Sequence, residues 1–459
     1  MTEMTKHPLR IAADGLRNAF ARCGFELLDN GSYPELERTD LNIEVFHSPA
    51  PALKQVTTED ETISLRTSLL PFSLSKMKGT FPIKAVSFGK VFDGNDETYP
   101  ARHRLEGVIA SDMNLYDLGF LWNRIVKAAF GAGSKAELVK LDKEQKLTDL
   151  SSWGSSAMKE TTLGKTMTWS IETTLNDGRT FTLGYMGTVN WLAAALLGLE
   201  ECRQKCFAFS IDVDDAACFL HGLKERSQLY DNRQSYLGNY NDSSISASET
   251  FEDRCRDTLR SMGYTEGFGM KIYPPGIYAK MNMIQDSWDL NNQGVLLKEP
   301  LGENTGLPTV LTPAIEQILS EKWAAGETEA KAFEVSHIFI PQRGAHPIEK
   351  LALSFGAYGE NTDLKSFMND VDELLTSVGN RNHFFLPNNM AIAYETGECR
   401  LILDEKMSYL GSNAGGISHK AEENFAIGTH AYMANLELMP IENKAKEEYG
   451  YIAPELRDN

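Results

Sequence analysis

The chain has 459 residues, 42% of them hydrophobic, enough to bury substantial cores and more consistent with two or three domains than with one. Its formal net charge of −19 works against nonspecific attraction to phosphate backbones. No apolar run is long enough to span a bilayer, since VNWLAAALLGL (189–199) is short and flanked by polar residues, and MTEMTKHPLR lacks the apolar core of an export signal. Cysteines at 23, 202, 206, 218, 255 and 399 suit free thiols in a reducing cytoplasm better than a disulfide framework, so a cytoplasmic protein with no membrane partner is expected.

In chain order, an amphipathic helix ends at Cys23-Gly24-Phe25 and is followed by LRTSLLPFSLSKM (65–77). KAVSFGKVF (84–92) then reads as a strand from its β-branched and aromatic content, and LYDLGFLWNRIVKAAFG (115–131) as an amphipathic helix stopped by glycine. CFAFSIDVDDAA (206–217) reads as an apolar strand, a polar step and a helix opening with Asp214 and Asp215. Free N–H groups and the helix dipole make such a junction attractive to anions, yet three carboxylates, Asp212, Asp214 and Asp215, stand there. Acidic residues at a helix start stabilise it by about 0.3–1 kcal/mol each, and Asp212 can cap the helix. The functional alternative is a site for a cation, either a metal or an amine. Cys202-x3-Cys206 with Cys218-x2-His221 is a conceivable metal set, but the spacing is not that of a ribbon or knuckle, and Cys218 beside Phe219 suits packing.

The polar tract DNRQSYLGNYNDSSISASE (231–249) has no hydrophobic period and reads as a linker, with Ser246 and Glu249 as a capping box for the next helix. Beyond it the same order of elements recurs. FEDRCRDTLRSMGYTE ends in Met262-Gly263-Tyr264, and LPTVLTPAIEQIL (307–319) matches 65–77 with Pro313 in register with Pro71. KAFEVSHIF (331–339) matches 84–92, and LKSFMNDVDELLTSVG (364–379) matches 115–131. The expected organisation is therefore a module at 1–230, a linker at 231–249 and a second module at 250–459. Each is an α+β module with an antiparallel sheet flanked by helices, the two facing one another as an intrachain pseudo-dimer. Two unrelated domains are the alternative.

At this point the residues resemble those of the phenylalanyl-tRNA synthetases, class II aminoacyl-tRNA synthetases. The segments that carry the resemblance are His7-Pro8-Leu9, Leu65-Arg66-Thr67, Gly89-Lys90-Val91-Phe92, His103-Arg104-Leu105-Glu106-Gly107-Val108, FTLGYMG (181–187) and CFAFS (206–210), in the family's order. The first half looks like the catalytic α-subunit core. The second, through RLILDEKMSYLGSNAGGISHKAEENF (400–425), looks like the synthetase-like region of the non-catalytic β subunit. The coiled-coil arm, editing domain and anticodon-contacting domain that the family uses on tRNA have no counterpart, so aminoacylation by this chain alone is not expected.

The resemblance also implies a pocket, with candidate residues Asp93, Arg102, His103, Arg104, Glu106, Gly184, Gly187, Ser210, Asp212 and Asp215. The family's last active-site motif runs Gly-x-Gly-x-x-Arg, its arginine binding the phosphate tail of ATP; here those positions are Ser210, Asp212 and Asp215. An earlier arginine for the α-phosphate is replaced by Asp93. Two unit charges about 4 Å apart are worth ~1 kcal/mol in water and ~4 kcal/mol at an effective dielectric of 20, and reversing a sign costs roughly twice that. The family's Arg-Thr-His-Thr-Ser-Pro has become Arg66-Thr67-Ser68-Leu69-Leu70-Pro71, as in the β subunit, and a substrate-contacting glutamine has become Arg104, while His103 and Glu106 are retained. Arg102 and Arg104 either hold phosphate or carboxylate or pair with Asp93, Asp96 or Glu97. His7 and His103 read as structural, and no catalytic residue or metal ligand is assigned.

The leading expectation is a phenylalanyl-tRNA synthetase paralogue with degenerate ATP-binding motifs, a pseudoenzyme acting as a ligand-binding, regulatory or partner subunit. Its partner would be a small amino-acid-like ligand or another protein, with tRNA binding not expected unaided and a homodimer in keeping with the family. The rival is a divergent ligase that activates an amino acid or other carboxylate for a non-tRNA acceptor, the one case in which ATP and Mg are implied.

Overall fold

In a computed structural model the described residues are 6–28, 34–39, 53–71, 81–141, 167–189, 206–233, 250–283, 294–342 and 345–449. They fall into two compact units, one built from Pro8–Leu229 and the other from the described residues from Tyr230 onward together with Lys6 and His7.

In the first unit Pro8 opens α1 (Pro8–Arg22), which buries Leu9, Ala12, Ala13, Leu16, Ala19 and Phe20. It stops where Gly24 takes a φ of +81°, open to glycine without strain. There follow β1 (Glu26–Leu27), a small sheet of β2 (Leu36–Arg38), β3 (Val56–Thr57) and β4 (Ile63–Leu65), and the long hairpin β5 (Ile83–Phe92) and β6 (Ala101–Ala110). A capping box between Asn114 and Asp117 starts α2 (Leu115–Phe130), and Gly131 ends it. The unit continues through β7 (Lys135–Leu141), β8 (Thr168–Thr174), β9 (Thr180–Thr188), β10 (Cys206–Asp212), α3 (Val213–His221) and α4 (Arg226–Leu229).

The main sheet runs β1-β5-β6-β10-β9-β8-β7, with β1 parallel to β5 and the other neighbours antiparallel. The two long helices pack on one face. There the Phe209 ring stacks on Phe20 with centroids 5.2 Å apart and meets Trp122 and Phe25 edge-on. Side chains alternate along a strand, so Leu105 and Gly107 of β6 point to this face and Arg102, Arg104 and Glu106 to the other. A Cβ at Gly107 would run into the Ala85 carbonyl and the Phe209 ring.

The second unit repeats the plan. Its elements are α5 (Phe251–Ser261), β11 (Thr265–Glu266), α6 (Ile277–Lys280), β12 (Val295–Leu301), β13 (Asn304–Leu307), α7 (Thr312–Ala324), β14 (Ala330–Gln342), β15 (Ala345–Tyr358) and α8 (Leu364–Ser377). Then come β16 (His383–Pro387), β17 (Arg400–Asp404), β18 (Tyr409–Gly416), α9 (His419–Phe425), β19 (Ala431–Glu437) and α10 (Leu438–Tyr449). The sheet order, β11-β14-β15-β19-β18-β17-β16, is that of the first sheet, again with only the first pair parallel. The registers Glu26↔Ala85 and Thr265↔Ala332 put the matched segments KAVSFGKVF and KAFEVSHIF at the same place in both sheets. One face carries Tyr264, Phe355, Phe367 and Tyr432; the other carries Ile315, Ile318, Leu319 and Met433.

The start of the second module differs from the sequence expectation. Thr250, not Ser246, caps α5, with Asp253 completing the box, because the buried stripe Phe251, Cys255, Leu259 begins immediately after it. Ser246 and Glu249 lie outside the described residues, as do 234–249 of the expected linker. The first residues of that tract belong to the second unit: the Asn232 side chain donates to the Phe268 carbonyl (3.0 Å) and to Glu321 (3.0 Å) and accepts from the Phe268 N–H (2.9 Å). His7, in the same unit, lies with its ring centroid 4.7 Å from that of Phe268.

Candidate functional site

The sheet face turned away from α1 and α2 gathers most of the polar residues singled out above. Its centre is Glu106, wholly buried. One carboxylate oxygen accepts from Ser68 Oγ (2.6 Å) and the Leu69 N–H (2.6 Å), the other from Ser210 Oγ (2.7 Å). Arg104 lies with Nη1 3.5 Å from the same carboxylate. The register Glu106↔Ser210 and Arg104↔Asp212 between β6 and β10 brings these side chains together across 104 and 108 residues of chain. Each oxygen of this buried carboxylate is therefore hydrogen-bonded, as burial of so polar a group requires.

Asp93, in the turn after β5, is buried and fully employed. Its Oδ1 accepts from the N–H of Lys54 (3.2 Å), the N–H of Asn95 (3.1 Å) and Asn95 Nδ2 (3.0 Å), and its Oδ2 faces Arg102 Nη2 at 3.1 Å. Arg102 also approaches Asp212, Nη1 to Oδ2 being 3.8 Å, so one guanidinium bridges two carboxylates that stand where the resemblance implies phosphate-binding groups. Asp212 caps α3 by accepting from the Asp215 N–H at 3.0 Å. Burial and the charges of Asp214 and Asp215 push the Asp212 carboxyl up to about 7, against the pull of that hydrogen bond and of Arg104. Burial and Asp214 also raise Asp215, opposed by Arg226, Arg102 and Arg104. The buried Nε atoms of Arg102 and Arg104 on this face have no hydrogen-bond acceptor among the described residues.

Other expected pocket members point elsewhere. His103 sits on the helix-covered face, its Nδ1 3.1 Å from the buried Asp214 carboxylate, with burial holding its pKa below the ordinary value; a neutral ring donates Nδ1–H to Asp214. Gly184 pairs with Ile211 on that same face, where a Cβ would overlap the Ser210 carbonyl, so its role is close packing. Gly187 pairs with Ala208 and so lies on the Glu106 face, but farther along it, at the apolar end beside Leu70, Ala85 and Val108. Asp93, Arg102, Arg104, Glu106, Ser210 and Asp212 thus share one face, with Asp215 at its edge. The sequence reading missed Ser68 as a donor to Glu106, Asp214 as the partner of His103, and Arg226, whose Nη2 lies 2.6 Å from Asp96 Oδ2. The His103 pairing could have been found only by registering β6 against β10.

Cys206 and Cys218 are buried free thiols, and burial near Asp214 and Asp215 pushes Cys218 up to about 12, which suits packing rather than metal ligation; Cys202 lies outside the described residues. None of the described helices is long and apolar enough to cross a membrane.

Family models match both halves of the chain. A family model described as "tRNA synthetases class II core domain (F)" matches residues 1–240, and one described as "Phenylalanyl tRNA synthetase beta chain CLM domain" matches residues 238–438. Among curated proteins, the phenylalanine--tRNA ligase alpha subunit of Caldanaerobacter subterraneus subsp. tengcongensis is 24% identical over 256 residues, covering 50% of this chain and 68% of that subunit. The alpha subunit of Wolbachia sp. subsp. Brugia malayi is 24% identical over 248 residues, covering 51% and 65%. The chain thus spans about two thirds of the length of these relatives. Among solved structures, a pyrrolysyl tRNA synthetase from Desulfitobacterium hafniense overlaps 52% of this chain and 80% of its own at 16% identity, with a TM-score of 0.36. With more than half of the chain under the first model and nearly all the rest under the second, the chain belongs to the family of class II tRNA synthetase core domains of the phenylalanine type.

Proposed function

We propose that this chain is a phenylalanyl-tRNA synthetase paralogue that has given up ordinary ATP-dependent activation and works as a ligand-binding, regulatory or partner subunit. The observation that carries this reading is the Arg102 bridge: the cation best placed to receive a phosphate is spent on Asp93 (3.1 Å) and Asp212 (3.8 Å). A triphosphate arriving there meets carboxylates and must first break that bridge. The ligand that suits the face is small and amino-acid-like, its carboxylate taken by the Nε–H groups of Arg102 and Arg104. ATP–pyrophosphate exchange across a panel of amino acids and other carboxylates, with Mg, tests the reading. No exchange above background is expected, and robust exchange with any acid overturns it.

Those same unspent Nε–H groups favour a second reading, a divergent ligase acting on a non-tRNA acceptor. In that case Mg would bridge Asp212 or Asp215 to phosphate, the donor set being hard oxygen as Mg requires, and the arginines would take the remaining charge. The exchange assay separates the two: under the ligase reading Arg104→Ala abolishes an exchange activity that the wild-type chain possesses.

A further inference from the structure

The second unit holds a cluster of two histidines and a glutamate. We propose that His419, Glu422 and His430 form a site for one divalent transition-metal ion of the zinc class. Their potential ligand atoms all lie within 4.8 Å of one another. Ser418 caps α9 through the Ala421 N–H and so fixes its first turn, and His419 and Glu422, three residues apart, share one side of it. His430 enters from the residue before β19, held against α9 because the Ala431 N–H donates to Glu422 Oε1 at 2.9 Å. The Nδ1 atoms of the two histidines approach opposite oxygens of one carboxylate, His430 to Oε1 at 2.6 Å and His419 to Oε2 at 2.9 Å. An ion between the two Nδ1 atoms and that carboxylate replaces the two protons they share with it. Ligand separations then widen by roughly half an ångström to suit bonds of about 2.0–2.2 Å, which the Glu422 and His419 torsions can supply.

The outer shell is also that of a metal centre. His430 Nε2, on the side of the ring away from Glu422, faces Glu398 Oε2 at 3.0 Å. A histidine that ligates through one nitrogen and gives the other N–H to a carboxylate is fixed in tautomer and made more basic. Room for this pair exists only because position 416 is glycine: a Cβ there would overlap both Glu398 Oε2 and His430 Nε2. Glu422 is buried and His430 half-buried, while His419 is exposed, so the cluster is reachable from solvent on the His419 side. Two nitrogens and a carboxylate select zinc-class ions over Mg, which prefers oxygen and water.

The test uses the full chain, stripped with a chelator and titrated with Zn2+ by calorimetry and with Co2+ by visible absorption. One ion per chain is expected, with Co2+ bands of a low-symmetry nitrogen–oxygen site and no heat from Mg2+. His419→Ala, at an exposed position, keeps the fold by circular dichroism and weakens binding at least about tenfold, while Glu398→Gln weakens it by roughly 10–100-fold without removing a ligand. Equal affinity in wild type and His419→Ala, or no saturable Zn2+ or Co2+ binding by the wild-type chain, overturns the proposal.

Discussion

Glu316 shows how a single buried group sets the pH response of its unit. It lies on α7, wholly buried, with neither carboxylate oxygen hydrogen-bonded among the described residues. Burial pushes its pKa up to about 8, with the charge of Glu422 adding and Lys280 and His430 opposing. Because the folded value exceeds the unfolded one near 4.5, the folded state keeps a proton that the unfolded chain has lost, and stability falls as pH rises from about 4.5 through 8. Replacing Glu316 with Met should therefore stabilise the unit little at pH 5 and by on the order of 3 kcal/mol at pH 9, read from urea unfolding at the two pH values. Asp212 obeys the same sign in the first unit, its stability contribution falling between about 4 and 7. Asp212→Asn keeps the cap, since Asn caps as well as Asp. It should flatten that slope and add about 1–2 kcal/mol at pH 8; an unchanged slope would show that Asp212 titrates normally.

Among elements, β10 is placed by its neighbours on both faces. Phe209→Ala empties the space between Phe20, Trp122 and Phe25 and should cost about 3–5 kcal/mol, measured as a drop in the denaturant midpoint. Thr250→Ala removes one side of the α5 capping box and should cost about 1 kcal/mol, read as a drop in the denaturant midpoint. Both Ser-x-x-Glu at 246 and Thr-x-x-Asp at 250 satisfy the local pattern, and the choice between them is made by where the buried stripe starts. Local pattern was enough for the long strands and helices, because β5 and β14, or α2 and α8, carry period and stop signals of their own. It was not enough for His103, whose partner Asp214 is 111 residues away, nor for His430, which meets Glu422 of α9 across the connection leading into β19. The packing of a helix against a strand, which has no local signature, decides such pairs.

For the whole molecule, a net charge of −19 with Arg102 tied to carboxylates predicts weak contact with tRNA. Filter binding should show an affinity no tighter than the ~10⁻⁴–10⁻⁶ M of nonspecific association, lost as salt rises. Submicromolar, salt-resistant retention of one tRNA would contradict it. The correspondence of Pro71 with Pro313 and of residues 84–92 with 331–339 makes the repetition legible in the sequence, whereas the sign of the pocket depends on the four donors that surround Asp93, which only the fold brings together. Two sheets with one strand order on one polypeptide carry a consequence for supply as well as shape. Each ribosome that finishes the chain delivers both halves in equal number, so no change in expression can unbalance them. A stop codon between the halves would leave the arginine–aspartate face to be made without the histidine–glutamate cluster.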